Sequence, residues 1–179
     1  MGHKFYKLCI WVFIMYVKKY IPNMLTLLNA GSGMVAILFI FQLKFNLGVL
    51  FIFLSIVFDY LDGNVARMLG VDSKLGIQLD SLSDVISFGV APALLLIVKF
   101  EFNLLIIVGG ILYVMAGVYR LAEYNVGVRK LKNGFLGVPI TFGGLILILV
   151  SYLSNVYLVG LLTIVCAYGL ISKIKVRKL

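Results

Sequence analysis

The sequence predicts an all-α polytopic membrane protein with six transmembrane helices, and three observations support this fold class. The chain of 179 residues is 63% hydrophobic with a mean hydropathy of +1.12, far above a typical soluble domain. Several apolar runs approach 20 residues, the length that crosses a bilayer as a helix. These runs lack a two-residue alternation and the chain has only three prolines, so helices are favoured over a membrane β-barrel.

The first predicted element covers residues 1–20, where lysines flank an aromatic and apolar centre too short to span. Its helical spacing predicts an amphipathic helix lying in the membrane interface, although an ordinary anchor flanking the first span fits about as well. A six-helix membrane domain is predicted over residues 21–172, followed by a basic cytoplasmic tail at 173–179. Small residues at 29–33 suit close packing of the first span against another helix. The six spans are predicted at about residues 24–41, 47–69, 75–98, 103–122, 136–153 and 156–172.

Capping residues mark two of the predicted boundaries. Pro22 and Asn23 stand before the first span, where proline marks entry and asparagine is a favourable N-cap. Between the second and third spans, Gly70 fits a C-terminal cap, and Asp72 or Ser73 fits the N-cap of the next helix.

The distribution of basic residues orients the predicted helices. With a cytoplasmic N-terminus, six spans place fourteen of the sixteen Lys and Arg residues on the cytoplasmic side and leave Lys44 and Lys99 outside. This bias follows the positive-inside rule, so both termini are expected in the cytoplasm of a cell-membrane protein. Because basic loops account for the net charge of +9, no nucleic-acid partner is expected.

Four of the seven acidic residues lie inside apolar segments. Asp59 and Asp62 are three residues apart, and Asp80 and Asp84 are four apart, so on helices each pair shares a face. Carboxylates in hydrocarbon cost roughly 2.5–3.5 kcal/mol each on insertion scales. The pattern therefore predicts a pair of divalent cations between them. All-oxygen ligands suit Mg²⁺, Mn²⁺ or Ca²⁺ rather than zinc.

The spacing of these residues resembles the signature of the CDP-alcohol phosphotransferase family. That signature reads Asp-x-x-Asp-Gly-x-x-Ala-Arg, eight residues, then Gly-x-x-x-Asp-x-x-x-Asp. The resemblance implies transfer of a phosphatidyl-type group from a CDP-lipid to an alcohol, with release of CMP. It implies that Asp59, Asp62 and Asp80 are the principal metal ligands, and that Asp84 is the proton acceptor and also contacts a metal. The matching positions are Asp59, Asp62, Gly63, Ala66, Arg67, Gly76, Asp80 and Asp84.

The CDP-lipid is expected to bind beside this signature. Gly63 and Ala66 share a helix face with the first two aspartates, and their small side chains would let a nucleotide approach the helix backbone. Arg67 offers a bidentate fork for phosphate, although arginine is also common at the end of a span. The resemblance adds three residues near the nucleotide, of which capping explains Asn23 and Ser73 equally well: Asn23, Thr26 and Ser73.

Two stretches outside the signature resemble the phosphatidylserine synthase branch of the family. They are Arg-Leu-Ala-Glu-Tyr-Asn at 120–125 and Gly-Phe-Leu-Gly-Val-Pro at 134–139. The implied acceptor is L-serine, and the implied donor is CDP-diacylglycerol or CDP-archaeol. Serine is a zwitterion, so Arg120 could bind its carboxylate, with Glu123 or Asn125 near its ammonium. Glu123 stands where the branch usually has a basic residue. The family resemblance also implies a homodimer.

Two alternatives stay open at this point. Within the family, a phosphorylated acceptor such as glycerol-3-phosphate or an inositol phosphate could use Arg129, Lys130 and Lys132. Outside it, intramembrane carboxylates also mark ion-coupled transporters. The clustering of the acidic residues in two adjacent helices, without an inverted repeat, favours the enzyme.

Overall fold

A computed structural model describes residues 2–71, 73–127, 130–131, 134–136, 138–172 and 175–177, with side chains for residues 20–71, 73–127 and 138–172. Its helices are α1 (Gly2–Phe41), α2 (Phe45–Leu69), α3 (Lys74–Asp84), α4 (Ala91–Lys99), α5 (Leu104–Asn125), α6 (Ile140–Val150) and α7 (Val156–Ile171). A π-helix over Val85–Val90 joins α3 to α4, so that residues 74–99 form one continuous helical element.

Four helical segments in the described part of the chain are long and apolar enough to cross a membrane. They are Tyr20–Phe41, Phe45–Leu69, Lys74–Lys99 and Leu104–Asn125. The helices α6 and α7 are also apolar, but they have only 11 and 16 residues. At 1.5 Å per residue, α6 measures about 17 Å, roughly half the hydrocarbon thickness. The predicted helical membrane architecture is confirmed for the four long segments.

A small sheet accompanies the helices. Strands β1 (Lys130–Leu131), β2 (Gly134–Leu136) and β3 (Lys175–Arg177) pair antiparallel in the order β1-β2-β3. Strands this short carry no readable alternation, so the sequence pattern could not indicate them. The predicted fifth span is also shorter than expected. Its helix begins at Ile140, because Pro139 disfavours helical backbone at the preceding residue.

The first helix corrects the predicted boundary at Pro22 and Asn23. Helix α1 runs without interruption from Gly2 to Phe41, with Pro22 inside it, so Asn23 is not an N-cap. Proline removes only its own main-chain donor, and an apolar helix tolerates this loss when other groups satisfy the freed backbone. The Thr26 hydroxyl donates back to the Pro22 carbonyl at 3.0 Å, a bond within the helix that is separate from the carbonyl at position 18, which loses its donor to the proline.

The turn between α2 and α3 follows the sequence prediction. Gly70 ends α2 in the left-handed conformation, with φ of +61°, which glycine adopts without strain. Ser73 is the N-cap of α3, and its hydroxyl accepts a hydrogen bond from the Gly76 amide at 2.9 Å. Asp72, the other predicted cap, lies outside the described residues. This tight turn brings the last turns of α2 beside the first turns of α3.

The continuous element over residues 74–99 is the centre of the molecule. Of its most apolar stretch, 67% is buried, compared with 22% for α2. One core cluster joins the π-helix and α4 to α1 and α2, and a second joins α4 to α5, α6 and α7. Gly33 permits a close approach, because a Cβ there would overlap Ser87 of the π-helix. The small residues predicted to pack span one closely therefore do so at Gly33.

Candidate active site

The four aspartates meet where α2, α3 and α1 converge. One carboxylate oxygen each from Asp59, Asp62 and Asp80 lies within 4.8 Å of the others. The Asp84 carboxyl is adjacent and contacts that of Asp59. Asp62 and Asp84 are buried, whereas Asp59 and Asp80 are half-buried. The helical spacing inferred from the sequence thus brings all four predicted acidic residues into one site.

The oxygen atoms of this cluster fit a divalent cation. The Asp62 Oδ2 atom is buried without a hydrogen-bond partner, although carboxylate oxygens normally accept several hydrogen bonds. Three carboxylate oxygens within 4.8 Å repel one another unless a cation lies between them. The donors are all hard oxygens, which Mg²⁺, Mn²⁺ and Ca²⁺ prefer. These residues could therefore hold a metal ion.

Asn29 of α1 is a site residue that sequence reasoning missed. Its side chain is fully buried, and its amide nitrogen lies 3.5 Å from the Asp84 Oδ1 atom. Two signals were present in the sequence: an amide in the middle of an apolar span, which small size was taken to explain, and the last position of the Pro-Asn-x-Leu-Thr-Leu-x-Asn stretch at residues 22–29, which also resembles the phosphatidylserine synthase branch. The contact joins residues 55 positions apart, so no local pattern indicates it.

Three residues predicted near the nucleotide lie where α1 meets α2 and α3. Thr26 is buried and contacts the Asp62 carboxyl. Asn23 lies beside the start of α3, since a Cβ on Gly76 would be 3.4 Å from the Asn23 Oδ1 atom. The Ser73 hydroxyl lies equally close, at 3.2 Å from the same position. Thr26 thus borders the acidic cluster, and Asn23 and Ser73 lie together at the start of α3.

The glycine and arginine of the signature lie one turn apart on α2. Arg67 is exposed, and its guanidinium folds back so that Nε donates to the Gly63 carbonyl at 2.8 Å. A Cβ on Gly63 would have only the Arg67 guanidinium near it, at 3.6 Å. Ala66 is half-buried on the same helix. The face of α2 at Gly63 therefore has space for a ligand, and the Arg67 guanidinium can reach that space.

The predicted acceptor residues lie at the end of α5. Arg120 is buried at 6% exposure, and Glu123 and Asn125 are half-buried. The Asn125 amide donates to the Ser81 hydroxyl at 2.9 Å, which places the last turn of α5 beside Asp80. Of the residues considered for a phosphorylated acceptor, Arg129 and Lys132 lie outside the described residues, as does the side chain of Lys130.

Comparison with known proteins then decides the family. The sequence profile of the CDP-alcohol phosphatidyltransferases matches residues 19–172. The chain belongs to the CDP-alcohol phosphatidyltransferase family. This confirms the resemblance drawn from the eight signature positions. CDP-alcohol phosphatidyltransferases depend on divalent metals, so the chain is a transferase whose acidic cluster has the chemistry that the family requires.

Individual relatives narrow the place of the chain within the CDP-alcohol phosphatidyltransferases. The CDP-diacylglycerol–serine O-phosphatidyltransferase of Methanocaldococcus jannaschii is 45% identical over 159 residues, which cover 88% of this chain and 74% of that one. The protein of the same name from Bacillus subtilis is 35% identical over 158 residues, covering 87% and 89%. The archaetidylserine synthase of Methanothermobacter thermautotrophicus is 40% identical over 143 residues, covering 78% and 58%.

Proposed function

We propose that this protein transfers the phosphatidyl-type group of a CDP-lipid to the hydroxyl of L-serine and releases CMP. The observation that carries the proposal is the convergence of Asp59, Asp62, Asp80 and Asp84 in a chain of this family. The names of its relatives support serine as the acceptor. Because they include both diacylglycerol and archaetidyl enzymes, CDP-diacylglycerol and CDP-archaeol are both candidate donors.

The acidic residues divide into ligands and a base. Asp59, Asp62 and Asp80 would hold two divalent ions, Mg²⁺ or Mn²⁺, with Ca²⁺ also compatible with the oxygen donors. When bound, the ions supply positive charge that neutralises the diphosphate and polarises its phosphorus. Asp84 is buried beside these ligands and would also contact a metal. It accepts the proton of the serine hydroxyl as that oxygen bonds to phosphorus and the bond to CMP breaks.

The nucleotide and the lipid diphosphate bind along α2 and the start of α3. Gly63 and Ala66 leave the backbone of α2 accessible, and Arg67 turns from its own helix to pair with phosphate. Asn23 and Thr26 of α1, with Ser73 at the start of α3, would line this pocket. They would hold the CMP portion while the phosphorus faces the carboxylates.

Serine binds between the cluster and the end of α5. Arg120 is the cation for its carboxylate, and Glu123 or Asn125 accepts from its ammonium. The contact of Asn125 with Ser81 supports this position, because Ser81 follows Asp80 directly on α3. The acceptor hydroxyl would thereby approach the carboxylates from α5, opposite the side of the cluster lined by α1.

The arrangement in the membrane follows from the basic residues. We place six spans in the bilayer, with α6 and α7 as the two shorter ones, and both termini in the cytoplasm. The segment before residue 20 lies at the interface, and the site opens to the cytoplasm, where soluble CMP leaves. The active protein is a homodimer, with the exposed apolar helix faces available for lipid or for a second copy.

A direct assay tests this function. Purified protein is incubated with CDP-diacylglycerol or CDP-archaeol and Mn²⁺, and CMP release is measured with and without L-serine. We expect release that depends on serine and that is abolished by chelation or by Asp84→Asn, which keeps the shape of the side chain but removes the base. Serine-dependent release that survives in Asp84→Asn would remove the assigned base, and release that ignores serine would remove the assigned acceptor.

A further inference from the structure

The buried amide of Asn29 makes two different kinds of contact at the centre of the molecule. Its side-chain nitrogen lies 3.5 Å from Asp84 Oδ1, at the long end of hydrogen-bonding distance. Its main-chain carbonyl accepts the hydroxyl of Ser55 at 3.2 Å and that of Ser87 at 3.0 Å. The main-chain contacts tie α1 to α2 and to the π-helix. They do not depend on the identity of the side chain.

Packing does not explain why this side chain is an amide. Asn29 is 0% exposed, and its Oδ1 atom is buried without a hydrogen-bond partner. A buried polar atom left without a partner costs free energy, whereas leucine has a similar shape and leaves no such atom. The amide nitrogen, by contrast, has a function that leucine cannot supply, because it reaches the carboxylate that would accept the proton.

Asp84 is held from two sides. Its backbone ends α3 at the point where the π-helix begins, and the Ser87 hydroxyl fixes that π-helix to α1. Its carboxyl lies close to that of Asp59, and its Oδ1 atom lies 3.5 Å from the Asn29 amide nitrogen. An amide donor at Oδ1 selects one orientation of the carboxyl and leaves its second oxygen for the cluster. π-helical segments of this kind occur often at functional sites.

We infer that Asn29 is a positioning residue, which orients the Asp84 carboxyl for proton transfer through its side-chain amide. This inference rests on the proposed function, in which Asp84 is the proton acceptor. Asn29 itself does not take part in bond making or breaking. Partners of this kind, one contact removed from the reacting groups, typically change activity or metal affinity by about 10- to 100-fold when replaced.

The test compares Asn29→Leu with a matched control, Ser55→Ala. The first removes the amide but keeps both hydroxyl contacts to the main-chain carbonyl, whereas the second removes one of those contacts and leaves the amide in place. We expect Asn29→Leu to lower kcat about 10- to 100-fold with the KM for CDP-lipid and serine within about threefold. Ser55→Ala should keep kcat and Mn²⁺ affinity within about threefold. If Asn29→Leu does not fold, Asn29→Ala also removes the amide and keeps both hydroxyl contacts to the main-chain carbonyl.

A double-mutant cycle of Mn²⁺ affinity separates positioning of Asp84 by Asn29 from a general disturbance of the fold. Mn²⁺ affinity is measured by calorimetry for wild type, Asn29→Leu, Asp84→Ala and the double variant. If the amide acts through Asp84, its removal has no further effect once Asp84 is absent. An unchanged kcat, or a loss of Mn²⁺ affinity that adds in full to that of Asp84→Ala, overturns the inference. Wild-type protein that releases no CMP with serine would end the proposed function, and the Mn²⁺ cycle would then still decide the place of Asn29.

Discussion

Replacing Asp80 by asparagine should stabilise the metal-free protein and remove its response to metal. The Asp80 carboxylate has an oxygen within 4.8 Å of oxygens of both Asp59 and Asp62. At that separation and an effective dielectric constant of about 20, each ionised pair repels by about 3.5 kcal/mol. Asparagine has the same shape without the charge, so Asp80→Asn relieves two of these repulsions when no cation is present and all three carboxylates are ionised.

Screening by solvent at the half-buried side chains reduces this sum, so we expect a net gain on the order of 2 kcal/mol in the free energy of unfolding. For a chain of this size, that corresponds to a rise of about 4–8 °C in Tm. The assay is thermal unfolding in detergent with EDTA and then with Mn²⁺. At 100-fold excess over its Kd, Mn²⁺ should stabilise the wild type by about 2.7 kcal/mol, and the variant far less.

Glu101→Gln is the matched control. It removes one negative charge from an exposed loop residue far along the chain from the cluster, so it should change Tm little in either condition. A lower Tm of Asp80→Asn in EDTA would mean that the Asp80 carboxylate stabilises the fold. Equal stabilisation of wild type and variant by Mn²⁺ would mean that the metal binds elsewhere. Either result would refute the argument for a metal site at these three carboxylates.

Three further predictions concern packing and substrate recognition. Gly33→Val should lower the free energy of unfolding by about 1–3 kcal/mol, because its Cβ would overlap Ser87, and thermal unfolding would detect this. Tyr113→Phe removes the hydroxyl that donates to the Phe88 carbonyl at 2.9 Å, so chemical denaturation should show a loss of about 1–3 kcal/mol. Arg120→Ala should raise the KM for serine about tenfold more than that for CDP-lipid, as steady-state kinetics would show, and equal effects on both would refute its role.

Much of the site was predictable because its determinants are local. The spacing of Asp59, Asp62, Asp80 and Asp84 places each pair on one helix face, and the caps at Gly70 and Ser73 set the turn that brings the pairs together. Periodicity and spacing within about ten residues carry this information.

The features that the sequence did not predict depend on contacts between residues far apart in the chain, or on whether a helix is stable enough to tolerate a local disruption. The Asn29 contact with Asp84 requires the packing of α1 against α3, which no spacing rule encodes. Helix α1 continues through Pro22 because the helical turns on both sides are stable enough to tolerate one lost main-chain hydrogen bond. The π-helix at Val85–Val90 inserts extra backbone where Gly33 and Ser87 pack closely, and tertiary contacts rather than propensity hold it.

Product analysis with competing acceptors tests the central claim most directly. Wild-type protein is given one CDP-lipid, Mn²⁺ and an equimolar mixture of L-serine, glycerol-3-phosphate and inositol phosphate, and the lipid products are identified by mass spectrometry. We expect a serine phospholipid as the dominant product, with no product from Asp84→Asn. A dominant product from a phosphorylated acceptor would contradict serine as the substrate, and equal product from wild type and Asp84→Asn would contradict the site itself.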